Sequence, residues 1–293
     1  MNHPFNGTGV AIVTPFNSDL SVDYNSLKKL TNHIIEGGIN YIVVLGTTGE
    51  SATLNKDEKK EVVKTVVETV NKRVKIVLGH GGNDTLALIE DFKKLDLSGI
   101  DGILSVSPYY NKPNQEGLYQ HYKMFAEECK LPIILYNVPG RTGSNMQAET
   151  TLRIARDFKH VVAIKEASGN IEQCMKIIKD KPDGFEVISG DDNLTLPLIA
   201  AGAVGVISVT AQGAPQVFSK MVNAALKGDF SSARKLHYQQ FSFTEHLFAD
   251  GNPGGIKTAL EAKGICKPYM RPPLFEANKS VKEKIVQLSK EVN

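Results

Sequence analysis

Cysteine is scarce in this sequence: Cys129, Cys174 and Cys266 are odd in number, widely spaced and free of CxxC pairing. Neither a disulfide framework nor a zinc knuckle is supported by that pattern, and a reducing cytoplasm is the expected setting. Charge of one sign is also missing, since 34 Lys and Arg against 32 Asp and Glu leave a formal charge of +2. There are no basic runs or interleaved aromatic clusters, so no attraction to nucleic acid or to an anionic membrane is expected. Long apolar runs are absent too. The stretch from Leu196 to Val209 is broken by Pro197, Gly202, Gly205 and Ser208, and Met1 to Asn17 lacks the basic and apolar regions of an export signal. No membrane span or export signal is expected. The seven histidines show neither HExxH nor i,i+4 spacing, which disfavours a metal-dependent enzyme.

The sequence does contain 41% apolar side chains, ample for a large core. From residue 9 to about 210, short β-branched runs alternate with helical patterns at intervals of roughly 30 residues, the spacing of repeated βα units. Eight strands are predicted: Val10–Val13, Tyr41–Leu45, Val74–Leu78, Gly102–Val106, Ile133–Tyr136, Val161–Ile164, Phe185–Ile188 and Val204–Ser208. Their nearly continuous apolar character belongs to parallel sheets covered on both faces. Asp23 is placed to cap a helix with the stripe Leu27, Leu30, Ile34 and with Gly37 just past its end. Asn55 and Glu58 have capping-box spacing before an amphipathic helix carrying Val62, Val63, Val66, Val67 and Val70 on one side.

Eight such units predict a closed (β/α)₈ TIM barrel rather than a doubly wound open sheet, for which a GxGxxG turn after the first strand is missing. After Ala214 the pattern turns helical to the end of the chain. The expected organisation is a barrel over residues 1–214 carrying the active site, with 215–293 a C-terminal helical extension of the same domain.

Barrel chemistry sits at the C-terminal ends of the strands. Two-residue alternation in Val161-Val162-Ala163-Ile164-Lys165 puts Lys165 on the face of Val161 and Ala163, the side suited to the barrel interior. Burial there disfavours an ammonium, and the neutral amine is the form that attacks a carbonyl to make a Schiff base. The other reading has Lys165 facing outward or pairing with Glu166. Tyr136, on the face of Ile134 at the end of the preceding strand, is placed either to shuttle protons beside Lys165 or to pack for its area with its hydroxyl satisfied by backbone.

Gly46-Thr47-Thr48-Gly49-Glu50-Ser51 offers backbone N–H groups and hydroxyls to a carboxylate or oxyanion, or forms a plain tight turn. Arg141 follows the fifth strand, where a guanidinium can grip a carboxylate with two parallel hydrogen bonds or stand as a plain surface arginine. Asp191-Asp192 reads as a turn or cap rather than a cation site.

Four motifs stand together in order and spacing: Gly46-Thr47-Thr48-Gly49-Glu50-Ser51, Ser107-Pro108-Tyr109-Tyr110-Asn111, Tyr136-Asn137-Val138-Pro139-Gly140-Arg141-Thr142 and Ile164-Lys165-Glu166-Ala167. In these the chain resembles the dihydrodipicolinate synthases of the pyruvate-dependent aldolase superfamily, over essentially its whole length. The resemblance implies a lyase condensing pyruvate with L-aspartate 4-semialdehyde in lysine and diaminopimelate biosynthesis. It implies no cofactor beyond a covalent pyruvate imine on Lys165.

By the same resemblance, Tyr136, Thr47 and Tyr110 form the proton relay and Thr48 holds the pyruvate carboxylate. Arg141 holds the carboxylate of the aldehyde, and Gly190 and Ile207 line the site. A neighbouring subunit lends the residue matching Tyr110, which implies a homotetramer, a dimer of dimers. N-acetylneuraminate lyase or a keto-deoxy-sugar aldolase would share Lys165 and Tyr136, but Arg141 speaks against them; a catalytically silent barrel would need broken relay chemistry.

Two departures from the family pattern stand out. Ser51, Ala52, Asn83 and Tyr109 match an allosteric lysine site, but Lys56 and Lys59 stand where histidines are common and Ala87 replaces a glutamate. Weak or absent lysine feedback is expected. Gly255 replaces a second proline in Asn252-Pro253-Gly254-Gly255-Ile256-Lys257, with only a local difference at a helix start expected.

Overall fold

The computed structural model describes residues 3–292. Eight parallel strands close into a barrel in chain order: β1 (Gly7–Ala11), β2 (Tyr41–Val44), β3 (Lys75–Gly79), β4 (Gly102–Val106), β5 (Ile133–Asn137), β6 (Val161–Glu166), β7 (Glu186–Ser189) and β8 (Gly205–Ser208). Between them run α1 (Tyr24–Glu36), α2 (Lys56–Val70), α3 (Thr85–Phe92), α4 (Gln115–Glu128), the single turn α5 (Pro139–Thr142), α6 (Ala148–Asp157), α7 (Ile171–Asp180) and α8 (Thr195–Ala201). This is the predicted (β/α)₈ TIM barrel. Asp23 caps α1 by accepting from the Ser26 N–H, and Asn55 and Glu58 form the expected capping box on α2. Leu27, Leu30 and Ile34 of α1 and Val62, Val66 and Val70 of α2 are buried against the sheet.

Strand β1 begins earlier than the apolar pattern suggests, because its first residues are Gly7-Thr8-Gly9. A Cβ on Gly9 would fall 2.2 Å from the ring of Tyr41, which fills the barrel interior beside Phe5 and donates to the Val206 carbonyl at 3.2 Å. The glycine is therefore set by the tyrosine on the next strand, and hydrophobic periodicity gives no sign of it.

Side chains divide into two buried layers. The inner one fills the barrel with residues such as Ala11, Val43, Val77, Leu104 and Ile207, and the outer one packs between sheet and helices. Strand ladders thus lie between two apolar layers, as parallel sheets require.

Beyond β8, α9 (Pro215–Leu226) packs against α8, β1 and β8; α10 (Phe230–Phe248) lies along α9, and α11 (Gly254–Ala262) and α12 (Lys279–Ser289) pack on α10. A Cβ on Gly255 would stand 2.2 Å from the carbonyl oxygen of Leu247. The glycine lets the backbones of α11 and α10 approach closely, so its effect is wider than the local helix-start difference expected from sequence.

Candidate active site

Lys165, next to last in β6, lies directly beside Tyr136 on β5 in the parallel register. Both are buried, Lys165 being only 6% exposed, and the lysine nitrogen lies 4.2 Å from the centre of the Tyr136 ring. Strict alternation fails earlier in the strand. The register shifts between Ile133 and Ile134 so that Val162 has no partner, and Val161 turns into the outer layer while Ala163 stays in the inner one. Lys165 therefore shares its face with Ala163 and not with Val161, because a bulge resets the period.

The tip of β5 is fixed from β4: the Tyr136 carbonyl accepts from the Ser107 N–H at 3.0 Å and from the Ser107 hydroxyl at 3.2 Å. Gly190, past β7, donates its N–H to the Glu166 carbonyl at 2.7 Å. A Cβ there would sit 3.1 Å from the lysine Cε and 2.7 Å from the Ala167 Cβ, so the missing side chain makes room for the Lys165 stem. Ile207 on β8 belongs to the same inner layer.

Glu166 faces away from Lys165 and forms no ion pair with it. Its carboxylate accepts from the side-chain amides of Asn137 at 3.0 Å and Gln173 at 2.7 Å and from the Ser168 N–H at 3.0 Å. Burial pushes the Glu166 carboxyl above its ordinary pKa, and these donors oppose the rise. Asn137 also donates to the Asn145 side chain and accepts from the Met146 N–H. Both ends of the segment carrying Arg141 are thereby tied to the barrel. Arg141 itself, on α5, is exposed, and its guanidinium has no hydrogen-bond or ion-pair partner among the described residues.

Thr47 and Thr48 open a single 3₁₀ turn at the end of β2, Thr47 exposed and Thr48 buried. The Thr48 hydroxyl accepts from the Asn252 side-chain amide at 2.9 Å. Two residues on, Glu50 takes the left-handed conformation at φ 52° and points its carboxylate to Lys257 of α11, 2.5 Å away, both side chains fully buried. Burial pulls the Lys257 ammonium below its ordinary pKa, and the adjacent carboxylate opposes that shift. Sequence reasoning assigned no role to Glu50, Lys257 or Asn252, nor to Asn137 and Gln173, which both donate to Glu166. A lone lysine inside the apolar run Gly254–Leu260 was the available signal for the ion pair; the amide network has no such signature.

Several other sequence candidates lie at the surface. Tyr110 is 85% exposed, with φ 70°, and makes no hydrogen bond or ring contact among the described residues. Tyr109 is 41% exposed and its carbonyl accepts from the Asn83 side chain at 3.3 Å. Ser51 is half-buried and Ala52 exposed, and Lys56 pairs with Asp91 at 3.0 Å in solvent. Asp192 is a cap: its buried carboxylate accepts from the N–H groups of Val209 and Thr210, both at 3.1 Å. No group of three or more His, Cys, Asp or Glu residues suited to a metal occurs among the described residues. An open cleft of about 910 Å³ at the opposite, N-terminal end of the barrel is lined by residues such as Lys75 and Asp101 and by none of the candidate residues. That end of a barrel serves stability rather than chemistry.

An eight-stranded barrel with a buried lysine near the C-terminal end of its sixth strand, a tyrosine ring beside that lysine and a hydroxyl-bearing turn after its second strand is the framework of a Schiff-base aldolase, a lyase of the pyruvate-dependent superfamily. The chain belongs to the dihydrodipicolinate synthetase family, whose sequence model matches residues 4–292. It is 50% identical over 289 residues to the 4-hydroxy-tetrahydrodipicolinate synthase of Flavobacterium psychrophilum, covering 99% of each chain. It is 53% identical over 287 residues to the enzyme of that name from Parabacteroides distasonis, covering 98% of this chain and 97% of the other. The crystal structure of dihydrodipicolinate synthase from Thermotoga maritima superposes with a TM-score of 0.96 at 40% identity, with 99% of each chain covered.

Proposed function

We propose that the protein is a lyase that condenses pyruvate with L-aspartate 4-semialdehyde to give 4-hydroxy-tetrahydrodipicolinate, in lysine and diaminopimelate biosynthesis. The observation that carries the chemistry is the buried Lys165 against the Tyr136 ring, 4.2 Å away. The neutral amine of Lys165 adds to the pyruvate ketone, and the carbinolamine loses water to form an iminium. Electron withdrawal by the iminium lets the methyl group give up a proton, and the resulting enamine attacks the aldehyde to form the new carbon–carbon bond. The amino group of the aldehyde substrate then adds to the imine carbon and displaces Lys165, closing the ring. One water is lost overall, and no external cofactor enters.

Tyr136, Thr47 and a neighbour's Tyr110 move protons in this reading; the exposure of Tyr110 suits a residue lent to a second subunit. Thr48 holds the pyruvate carboxylate, Arg141 that of the aldehyde, and Gly190 and Ile207 line the pocket. Asn137, Asn145 and Glu166 set the segment bearing Arg141. The active assembly is a homotetramer, a dimer of dimers, and the compartment is the cytoplasm, in keeping with three free, buried cysteines. No helix among the described residues is long and apolar enough to cross a membrane. Ser51, Ala52, Asn83 and Tyr109 form a degenerate regulatory site on which lysine acts weakly or not at all. Incubation with pyruvate and L-aspartate 4-semialdehyde, followed by mass spectrometry, tests the reading: it requires the cyclic hydroxy-diacid and loss of both substrates in equal amounts.

A further inference from the structure

Glu50 follows Thr47-Thr48-Gly49 without a break, and its carboxylate meets the C-terminal segment that follows β8. Its Oε1 accepts from the Lys257 ammonium at 2.5 Å and its Oε2 from the Arg271 N–H at 3.2 Å. Lys257 donates in addition to the Tyr269 carbonyl at 2.8 Å and sits over the Phe16 ring, 4.3 Å from its centre. The two charged side chains are 0% and 1% exposed and 207 residues apart in sequence. Five residues before Lys257, Asn252 donates to the Thr48 hydroxyl at 2.9 Å. Two tethers from one short stretch of the C-terminal layer thus converge on one turn, which is also held by the Thr14 hydroxyl donating to the Gly49 carbonyl at 2.7 Å and the Thr53 hydroxyl donating to the Glu50 carbonyl at 3.1 Å.

Stability alone does not account for a fully buried ion pair, because apolar side chains of the same volume serve a core equally well or better. What a desolvated pair adds is geometry, since either charge left unpartnered is costly and the chain can relax into few alternatives. The geometry fixed here is that of Glu50, a non-glycine residue in the left-handed region at φ 52°, whose backbone ends the turn presenting the threonines.

We propose that Glu50 and Lys257 are positioning residues: their ion pair makes the C-terminal helical layer part of the active site by fixing the Thr47-Thr48 turn where it receives pyruvate. This rests on the pyruvate-imine reading above. Displacement of such a turn by a fraction of an ångström weakens the pyruvate contact and the relay together, while leaving the Arg141 side of the pocket untouched.

The test compares the wild type, Lys257→Met, and the double variant Glu50→Gln/Lys257→Met, which keeps shape and removes both charges. Melting temperature, borohydride trapping of pyruvate and separate KM values for the two substrates are read for each. Lys257→Met is expected to melt lowest, because it strands Glu50. The double variant is expected to recover stability yet show a pyruvate KM raised about tenfold, a slowed imine trap and an unchanged KM for the aldehyde. A folded double variant with wild-type pyruvate KM and trapping rate makes the pair merely structural and overturns the proposal. If the double variant does not fold, Glu50→Gln alone decides: a raised pyruvate KM supports the proposal and a wild-type value overturns it. Failure of the wild type itself to trap pyruvate overturns the underlying reading, and the proposal with it.

Discussion

The terminal nitrogen of Lys165 stands 4.2 Å from the centre of the Tyr136 ring, across one parallel step from β6 to β5. Ring and amine are held by different means: Tyr136 through the Ser107 bonds to its carbonyl, Lys165 through the space left by Gly190. Removal of the phenol oxygen should therefore leave the fold intact and act on proton transfer. Tyr136→Phe is expected to lower kcat by about 10²-fold or more, the range for a lost acid–base group, with melting temperature nearly unchanged. Steady-state kinetics beside a thermal melt check this; an unchanged kcat would remove Tyr136 from the relay.

Lysine feedback is expected to be weak. Ala87 supplies no acid for the ligand's ammonium, and Lys56 and Lys59 add positive charge nearby, Lys56 already paired with Asp91. Titration of lysine to about 1 mM should leave the condensation rate essentially unchanged. Full inhibition below that concentration contradicts the assignment.

His121 couples the fold to acid pH. Its Nδ1 bonds the Thr85 hydroxyl at 2.8 Å, its Nε2 is buried without a partner, and burial pushes the imidazole down to about 4 from 6.5. Above pH 6.5 the ring is neutral in folded and unfolded chains alike. As pH falls below 6.5 the unfolded chain takes up the proton first, so stability declines until the folded ring also protonates near pH 4. The expected loss from this one ring is about 3 kcal/mol. Burial lowers the pKa of His80 as well, so the comparison must be with His121→Asn: the variant should show a shallower fall in unfolding free energy between pH 6.5 and 4. Parallel curves would contradict it.

Close approach at Gly255 predicts intolerance of any side chain there. Gly255→Ala places a Cβ about where Leu247 has its carbonyl oxygen, 2.2 Å from the ideal position. The backbones of α10 and α11 must part, at a cost of about 1–3 kcal/mol read by denaturant unfolding. Wild-type stability in that variant would show the helices free to adjust.

Much of the architecture was legible because each strand is a short apolar run with its own punctuation, and because caps such as Asp23 and the Asn55–Glu58 box are local devices. What escaped was set by non-local fit. The early start of β1 depends on the Tyr41 ring, the outward turn of Val161 on a bulge against β5, and the role of Gly255 on the backbone of another helix. The candidate site divides in the same way. Lys165 and Tyr136 fall on strand ends where period-two reasoning reaches, whereas Glu50 and Lys257 meet across the fold and their partnership follows only from the closed barrel and its helical cover.

The central claim is covalent: pyruvate forms an imine with Lys165. Incubation of the protein with pyruvate and borohydride, followed by peptide mapping, tests it most directly. The account predicts one adduct with the mass of reduced pyruvate, located on Lys165 and absent from Lys165→Ala. An adduct elsewhere, or none in folded and oligomeric protein, would contradict it.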